Sequence, residues 1–139
     1  MRTSGHPGWM WTAWDGLQQT VELANEKRIK IVINGGGLNP KGLAEKTYGL
    51  VKEKGLNLVV AYVDGDNLLL RKDELLGRIK AGEFAHLDKA NADIQLAENS
   101  AAFIDDPENM PVICMNAYLG YRAIKRGLDE GADIIICGR

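Results

Sequence analysis

The sequence lacks the features that would assign it to a specialised class of protein. Its 139 residues include only two cysteines and four prolines, and 17 Lys and Arg nearly balance 19 Asp and Glu. This balance offers no basic surplus for nucleic acid and no acidic surplus for a solvating tail. No apolar run approaches the roughly 20 residues of a membrane helix. With 45% hydrophobic residues, the chain is expected to be globular, with neither a nucleic acid nor a membrane as partner.

Cysteine and histidine are too sparse and too scattered to suggest a disulfide framework or a metal site. Cys114 and Cys137 stand inside apolar runs, which favours buried thiols in a reducing compartment. His6 and His86 lack the spacing of metal ligands. Because the N-terminus also lacks the apolar core of a signal peptide, we predict a cytoplasmic protein without a metal site.

Four short apolar runs predict strands. Their apolar residues are consecutive rather than alternating, as in parallel strands that are buried on both faces. The runs are residues 29–33, 58–63, 112–115 and 134–137.

Between these runs, apolar residues recur at the spacing of amphipathic helices. The positions are Trp14, Leu17, Val21 and Ala24; Leu43, Thr47, Leu50 and Val51; Leu68, Leu69, Leu75, Leu76 and Ile79; and Tyr121, Ile124 and Leu128. Thr12 and Asp15 form a candidate capping pair for the first helix. Asn39 is the candidate N-cap of the second helix, with Pro40 in its first turn, and Gly131 would close the last.

The alternation of strands and helices predicts an α/β fold. We expect a parallel sheet of about four strands flanked by helices in a Rossmann-like three-layer arrangement, incomplete at both ends. Residues 1–139 would form one partial domain with an irregular lead over residues 1–12. Residues 82–110 are too long for a simple connection and predict a lid, an insertion or a surface excursion, with a short helix near residues 94–103.

Each predicted strand runs directly into a polar cluster. The clusters are residues 34–40, 64–67, 116–121 and 138–139. Because ligands of open parallel sheets bind outside the carboxyl ends of the strands, these clusters would converge on one crevice.

The first cluster contains three consecutive glycines that could let the backbone approach a ligand. Gly35, Gly36 and Gly37 precede a helix whose N-terminus would favour a phosphate or carboxylate. A side chain at Gly36 would then block the ligand and leave the fold largely intact. The alternative is that the glycines only form the turn between strand and helix. The cluster is not a nucleotide fingerprint, because Pro40 stands where G-x-G-x-x-G requires glycine.

The remaining candidates supply side chains for binding or catalysis. Asp64 and Tyr118 are the candidate acid/base pair, and Asn116 would orient a carbonyl group. The further ligand-binding candidates are Asn34, Asn39, Asp66 and Arg139. The alternatives are local: Asp66 or Asn116 could cap a helix, Asp64 could bond its own turn, Tyr118 could pack in the core, and Arg139 could be solvated.

Four blocks of this sequence, in order, resemble the acyclic terpene utilisation family, most closely its fungal members. They are residues 28–42, 63–66, 116–120 and 131–139, and the resemblance runs from about Trp14 to Arg139. It implies a role in the breakdown of branched acyclic terpenoids such as citronellol and geraniol, which proceeds through acyl-CoA thioesters.

The resemblance implies an enzyme-like domain that binds a small anionic or acyl-thioester metabolite at the carboxyl edge of the sheet. Hydratase or lyase chemistry on acyl-CoA would fit the family. The alternative is a non-catalytic binding or assembly module that partners a carboxylase or hydratase, or that forms a homo-oligomer. A nucleotide-binding domain is disfavoured by the broken motifs, and the sequence leaves the identity of any cofactor open.

The family domain has further sequence before the region of Trp14 and after Arg139, so we expect this chain to be a fragment. The strand over residues 134–137 reads as buried on both faces, yet no helix follows it. We therefore expect partial exposure of its side chains, with self-association or a partly molten core.

Overall fold

The computed structural model describes residues 5–98 and 100–138. The strands are β1 (Ile31–Ile33), β2 (Val60–Val63) and β3 (Ile134–Cys137). The α-helices are α1 (Trp11–Lys27), α2 (Pro40–Glu53), α3 (Lys72–Lys80), α4 (Ala102–Asp105) and α5 (Arg122–Asp129), and 3-10 turns span Leu69–Arg71 and Leu87–Ala90.

These residues form two compact units. The sheet unit consists of residues 5–66 and 117–138 and contains all three strands. The excursion unit consists of residues 67–98 and 100–116, and contains α3, α4 and both 3-10 turns. The described residues of 82–110, the predicted excursion, lie within this second unit.

The three strands form a parallel sheet in the order β1-β3-β2. Ile134 of β3 is in register with Ile31 of β1 on one side and with Val60 of β2 on the other. The predicted α/β class and parallel pairing are confirmed. β3 is last in sequence but central in space, so its backbone is hydrogen-bonded along both edges.

The predicted fourth strand over residues 112–115 is wrong, and the described part of the sheet has three strands. This segment pairs locally instead. The Leu68 amide donates to the Met115 carbonyl at 2.7 Å, and Asn67 forms an isolated antiparallel bridge with Asn116. Ile113 is 80% exposed, so the apolar run does not enter a sheet core.

One face of β3 packs against α1 and α2. Ile134 and Ile136 belong to the same core cluster as Leu17 and Val21 of α1 and Leu43 of α2. These five side chains are at most 2% exposed. The helical spacing in the sequence therefore selected the buried faces of both helices correctly.

The other face of β3 packs against α5. Ile135 and Cys137 cluster with Ile124 and Leu128 of that helix. The connection from β1 to β2 crosses the sheet in one direction, and the connection from β2 to β3 crosses it in the other. Because such connections are right-handed, their helices α2 and α5 lie on opposite faces of the sheet. The expected exposure of β3 is therefore wrong, because helices earlier in the chain cover both of its faces.

The helix ends correct some local expectations. α1 begins at Trp11 after Met10, with no side-chain cap, so Thr12 lies inside the helix rather than at its N-cap. The cap of α2 is as predicted: the Asn39 side chain accepts a hydrogen bond from the Gly42 amide. Of the excursion, α4 overlaps the end of the predicted helix near residues 94–103.

The two cysteines differ in their surroundings. Cys137 is buried, as predicted, and burial raises the pKa of its thiol. Cys114 is exposed, against prediction, because its segment does not join the sheet. Within the described residues, no helix is long and apolar enough to cross a membrane.

A buried carboxylate joins the amino ends of all three strands. Asp133, just before β3, accepts a hydrogen bond from the Val59 amide at 2.9 Å and one from Lys30 Nζ at 2.9 Å. Arg28 lies 3.6 Å from the same carboxylate. The Asp133 backbone also accepts from the Ile31 amide at 2.8 Å. Burial alone would raise the pKa of Asp133, but the bonds from Lys30 and Val59, with the two positive charges, lower it overall.

We expect Asp133→Asn to lower the free energy of unfolding by about 1–3 kcal/mol, because it weakens charge-assisted bonds to a buried group. The control is Asp129→Asn, which removes an exposed carboxylate paired with Lys125 and should cost less than about 1 kcal/mol. Urea unfolding at pH 7 measures both changes. Equal effects would contradict the role assigned to Asp133.

The pH dependence follows from the same carboxylate. Its pKa is lower in the folded state, so its contribution is fully present above the pKa of an unfolded aspartate, about 3.9. The contribution is lost as the pH falls through the folded pKa. The difference in stability between the original protein and Asp133→Asn should therefore shrink on acidification below about pH 4. A difference that stays constant down to pH 2 would contradict this.

Candidate functional site

A cavity of about 230 Å³ lies at the carboxyl edge of the sheet. All of its lining residues belong to the sheet unit. They are Asn34, Val63, Tyr118, Leu119, Gly120, Ile124, Cys137 and Gly138. We call it the strand-end cavity. It lies on the α5 side of the sheet, because Val63, Cys137 and Ile124 all belong to the core on that side.

The cavity brings together residues at the carboxyl end of each of the three strands. Asn34 follows β1, Gly138 follows β3, and Val63 ends β2. A cavity therefore lies at the predicted edge, and only some of the predicted side chains line it. Two of them carry hydrogen-bonding groups, the amide of Asn34 and the hydroxyl of Tyr118.

Asn34 and Tyr118 are both accessible. Asn34 is exposed and Tyr118 is 89% exposed. The alternative that Tyr118 packs in the core is therefore wrong. An amide and a phenol can each donate and accept hydrogen bonds. The rest of the lining is mainly apolar, so the cavity has the ordinary character of a small-molecule site, an apolar pocket with few polar groups.

Asp66 is buried beside the cavity rather than at a helix cap. It is 3% exposed, and a Cβ atom added at Gly138 would lie 2.5 Å from its Oδ2. The Asp66 carbonyl accepts a hydrogen bond from the Ala117 amide at 2.8 Å, which holds the segment bearing Tyr118 near the end of β2. The side chain of Asn67, not that of Asp66, accepts from the Leu69 amide. Asp66 therefore supports the wall of the cavity.

The glycine loop packs tightly against its neighbours. The Gly36 amide donates to the Cys137 carbonyl at 3.0 Å, and a Cβ atom on Gly36 would lie 2.5 Å from that oxygen and 2.6 Å from Pro40 Cβ. A Cβ atom on Gly35 would collide with Ala13 Cβ. Gly37 has a φ of 55°, which favours glycine. These contacts support the turn alternative, since the space around the loop is filled by protein.

The N-terminus of α2 is also occupied by protein groups. Asn39 Oδ1 accepts from the Gly42 amide at 3.0 Å, and Asn39 Nδ2 donates to the Pro7 carbonyl at 2.9 Å. Both polar atoms of this side chain are therefore engaged in holding the helix and the lead segment. The structure gives Asn39 a capping role, and its role in ligand binding stays a prediction.

The structure gives less information on the three other predicted residues. Asp64 is exposed and is not among the lining residues. Asn116 is half-buried and belongs to the excursion unit. Arg139 lies outside the described residues. The acid/base pairing of Asp64 with Tyr118, and the roles of Asn116 and Arg139, stay predictions.

Sequence reasoning missed the apolar part of the lining. Val63 and Ile124 were assigned to a strand and to the inner face of a helix, which is correct. The sequence did not show where the core on the α5 side ends and the cavity begins. The late start of α5, at Arg122, is the feature that indicates it, because residues 117–121 then form a loop at the strand ends.

We expect Gly36→Ala to destabilise the fold by about 1–3 kcal/mol, since the added Cβ atom overpacks the loop against Cys137 and Pro40. The matched control is Gly49→Ala, also in the sheet unit. Its Cβ atom would meet nothing within 4 Å in the middle of α2, so it should stabilise by about 0.5–1 kcal/mol. Thermal unfolding measures both. Destabilisation thus replaces the expectation from the sequence that a side chain at Gly36 would leave the fold intact. Unchanged stability of Gly36→Ala would contradict the packing argument.

Comparison with known proteins gives one family match. The model of the family described as acyclic terpene utilisation family protein AtuA matches residues 1–139. No curated protein and no solved structure matches the chain significantly.

Proposed function

The chain belongs to the acyclic terpene utilisation family, and from this premise we propose that its strand-end cavity binds the branched acyl group of a terpenoid-derived thioester. The observation that supports this most is the composition of the lining. Apolar residues from β2, β3 and α5 form the wall, and the Asn34 amide and Tyr118 hydroxyl are the polar groups beside it.

The size of the cavity limits what it can enclose. Small-molecule sites commonly measure about 300–1,000 Å³, and this cavity is smaller, at about 230 Å³. A short branched acyl group fits such a volume better than a whole acyl-CoA. The proposal therefore puts the acyl group inside and leaves the nucleotide part of coenzyme A outside.

The apolar wall favours a hydrocarbon over a sugar or an amino acid. Val63, Leu119 and Ile124 offer no hydrogen bonds from their side chains. Burying a branched hydrocarbon against them gains about 25 cal/mol for each Å² of apolar surface removed from water. A polar substrate would lose hydrogen bonds to water without replacing them there.

The polar groups suit the thioester carbonyl. In this proposal, the Tyr118 hydroxyl or the Asn34 Nδ2 donates a hydrogen bond to the carbonyl oxygen, which orients the acyl group with its tail toward Ile124. Tyr118 is the candidate for proton transfer, because it was predicted to be catalytic and it lines the cavity. Hydration or elimination next to the thioester would need such a group.

Filling the cavity should weaken binding strongly. We expect Ile124→Trp to weaken the affinity for citronellyl-CoA at least tenfold, because the indole would occupy the space of the acyl group. The control, Leu23→Trp, adds the same ring to an exposed position of α1 and should leave the affinity unchanged. Isothermal titration measures binding, and circular dichroism verifies that both variants are folded.

Two further measurements decide which part of the ligand is bound. Tyr118→Phe should weaken binding about fivefold, the value of one neutral hydrogen bond of about 1 kcal/mol. Free coenzyme A should bind far more weakly than citronellyl-CoA. Equal affinity for both ligands, or full affinity in Ile124→Trp, would refute the proposal.

A second function is favoured by the surface of the excursion unit. Leu70 is 101% exposed, Leu87 94% and Ile113 80%. Exposed apolar side chains mark a protein interaction site where they lie together in one patch. On this basis, the alternative is that the chain is an assembly module for a carboxylase or hydratase, with these three side chains in its docking surface.

If this alternative holds, Leu87→Ser with Ile113→Ser should abolish co-elution with the acyl-CoA carboxylase that acts on the same thioesters. Ile124→Trp should leave co-elution intact in that case, because it alters the strand-end cavity. Size-exclusion chromatography of purified proteins tests this. Absence of co-elution for the unaltered chain would exclude the carboxylase as a direct partner.

A further inference from the structure

The excursion unit contains a second and larger cavity, of about 520 Å³, within the size range of small-molecule sites. All of its lining residues lie between residues 79 and 105, so it belongs to this unit alone. We propose that this cavity binds an amphipathic monocarboxylate, a molecule with an aliphatic chain and one carboxylate. This inference does not depend on the function proposed for the strand-end cavity.

The apolar part of the lining comes from both sides of the cavity. Ile79 belongs to α3 and Phe84 to the loop after it, whereas Phe103 and Ile104 belong to α4. Phe84 is 43% exposed, and Ile79, Phe103 and Ile104 are half-buried. These four side chains leave apolar surface in contact with solvent, and an aliphatic chain would remove that surface from water.

Ion pairs and a cation–π contact connect residues of the walls. Lys80 of α3 forms an ion pair with Asp105 of α4 at 2.7 Å, which links the two helices across the cavity. The guanidinium of Arg78 lies 4.5 Å from the centre of the Phe84 ring and also pairs with Glu83 at 2.7 Å. The wall around Phe84 is thereby oriented by a cation–π contact and an ion pair.

The charges at the cavity favour one negative charge on the ligand. Lys80 is already neutralised by Asp105. Lys89 also lines the cavity and forms no ion pair with another side chain in the described part of the chain. A single unneutralised ammonium group suits a carboxylate, whereas a phosphate monoester carries more charge than Lys89 alone can balance.

The test is a titration of the full chain with decanoate, followed by amide chemical shifts in nuclear magnetic resonance. Shifts should be confined to residues 79–105. Decanol, which has the same chain without charge, and acetate, which has the charge without the chain, should each bind at least tenfold more weakly than decanoate.

Two pairs of variants distinguish binding in this cavity from nonspecific attraction of decanoate to the protein surface. Lys89→Gln should weaken decanoate binding about tenfold, whereas Lys72→Gln, the same change at a residue outside the lining, should not. Ala85→Trp should block the cavity, and Ala81→Trp, outside the lining, should not. Circular dichroism verifies folding of all four variants.

The proposal is overturned if acetate or decanol matches decanoate, or if Lys72→Gln weakens binding as much as Lys89→Gln does. Shifts located in the sheet unit would also overturn it. The location of the shifts separates this proposal from the one above, because the strand-end cavity is lined only by residues of the sheet unit.

Discussion

The sheet unit depends on the burial of one strand on both faces. Ile134, Ile135 and Ile136 are at most 1% exposed, and a strand of this kind is stable only if helices cover each side and strands pair along each edge. Elements that precede β3 in the sequence meet this requirement: α1 and α2 cover one face, α5 covers the other, and β1 and β2 pair along the edges. Burying each large aliphatic side chain gains about 1.5–3 kcal/mol, so β3 contributes a substantial part of the stability of this unit.

This arrangement explains which parts of the fold could be predicted from the sequence. The consecutive apolar residues of β3 and the helical spacing of Leu17, Val21 and Leu43 are local patterns, and both were interpreted correctly. Residues 112–115 have a similar apolar pattern but form no strand. Met115 accepts a hydrogen bond from the Leu68 amide, and the adjacent Asn116 bridges Asn67. Periodicity reports that a segment can be buried, but it does not report which segment occupies the edge of a sheet.

The candidate site shows the same division between local and long-range information. The crevice at the strand ends was predicted from topology, and Asn34 and Tyr118 do line a cavity there. The role of the glycines could not be decided from the sequence, because close approach of a ligand and close approach of a protein neighbour both require glycine. Here the neighbours include Cys137, about 100 positions away in the chain, which no local pattern can indicate.

The two ends of the sheet therefore differ in what their polar groups do. At the amino ends, the carboxylate of Asp133 is buried and engaged by Lys30 and by the Val59 amide, which leaves it committed to holding the strands together. At the carboxyl ends, Asn34, Asp64 and Tyr118 are exposed. Polar groups that stabilise a fold must be satisfied within it, whereas groups that bind a ligand must remain accessible. Under the function proposed for the strand-end cavity, changes at Asn34 or Tyr118 would alter binding without disturbing Asp133, because Asp133 lies at the opposite end of the strands.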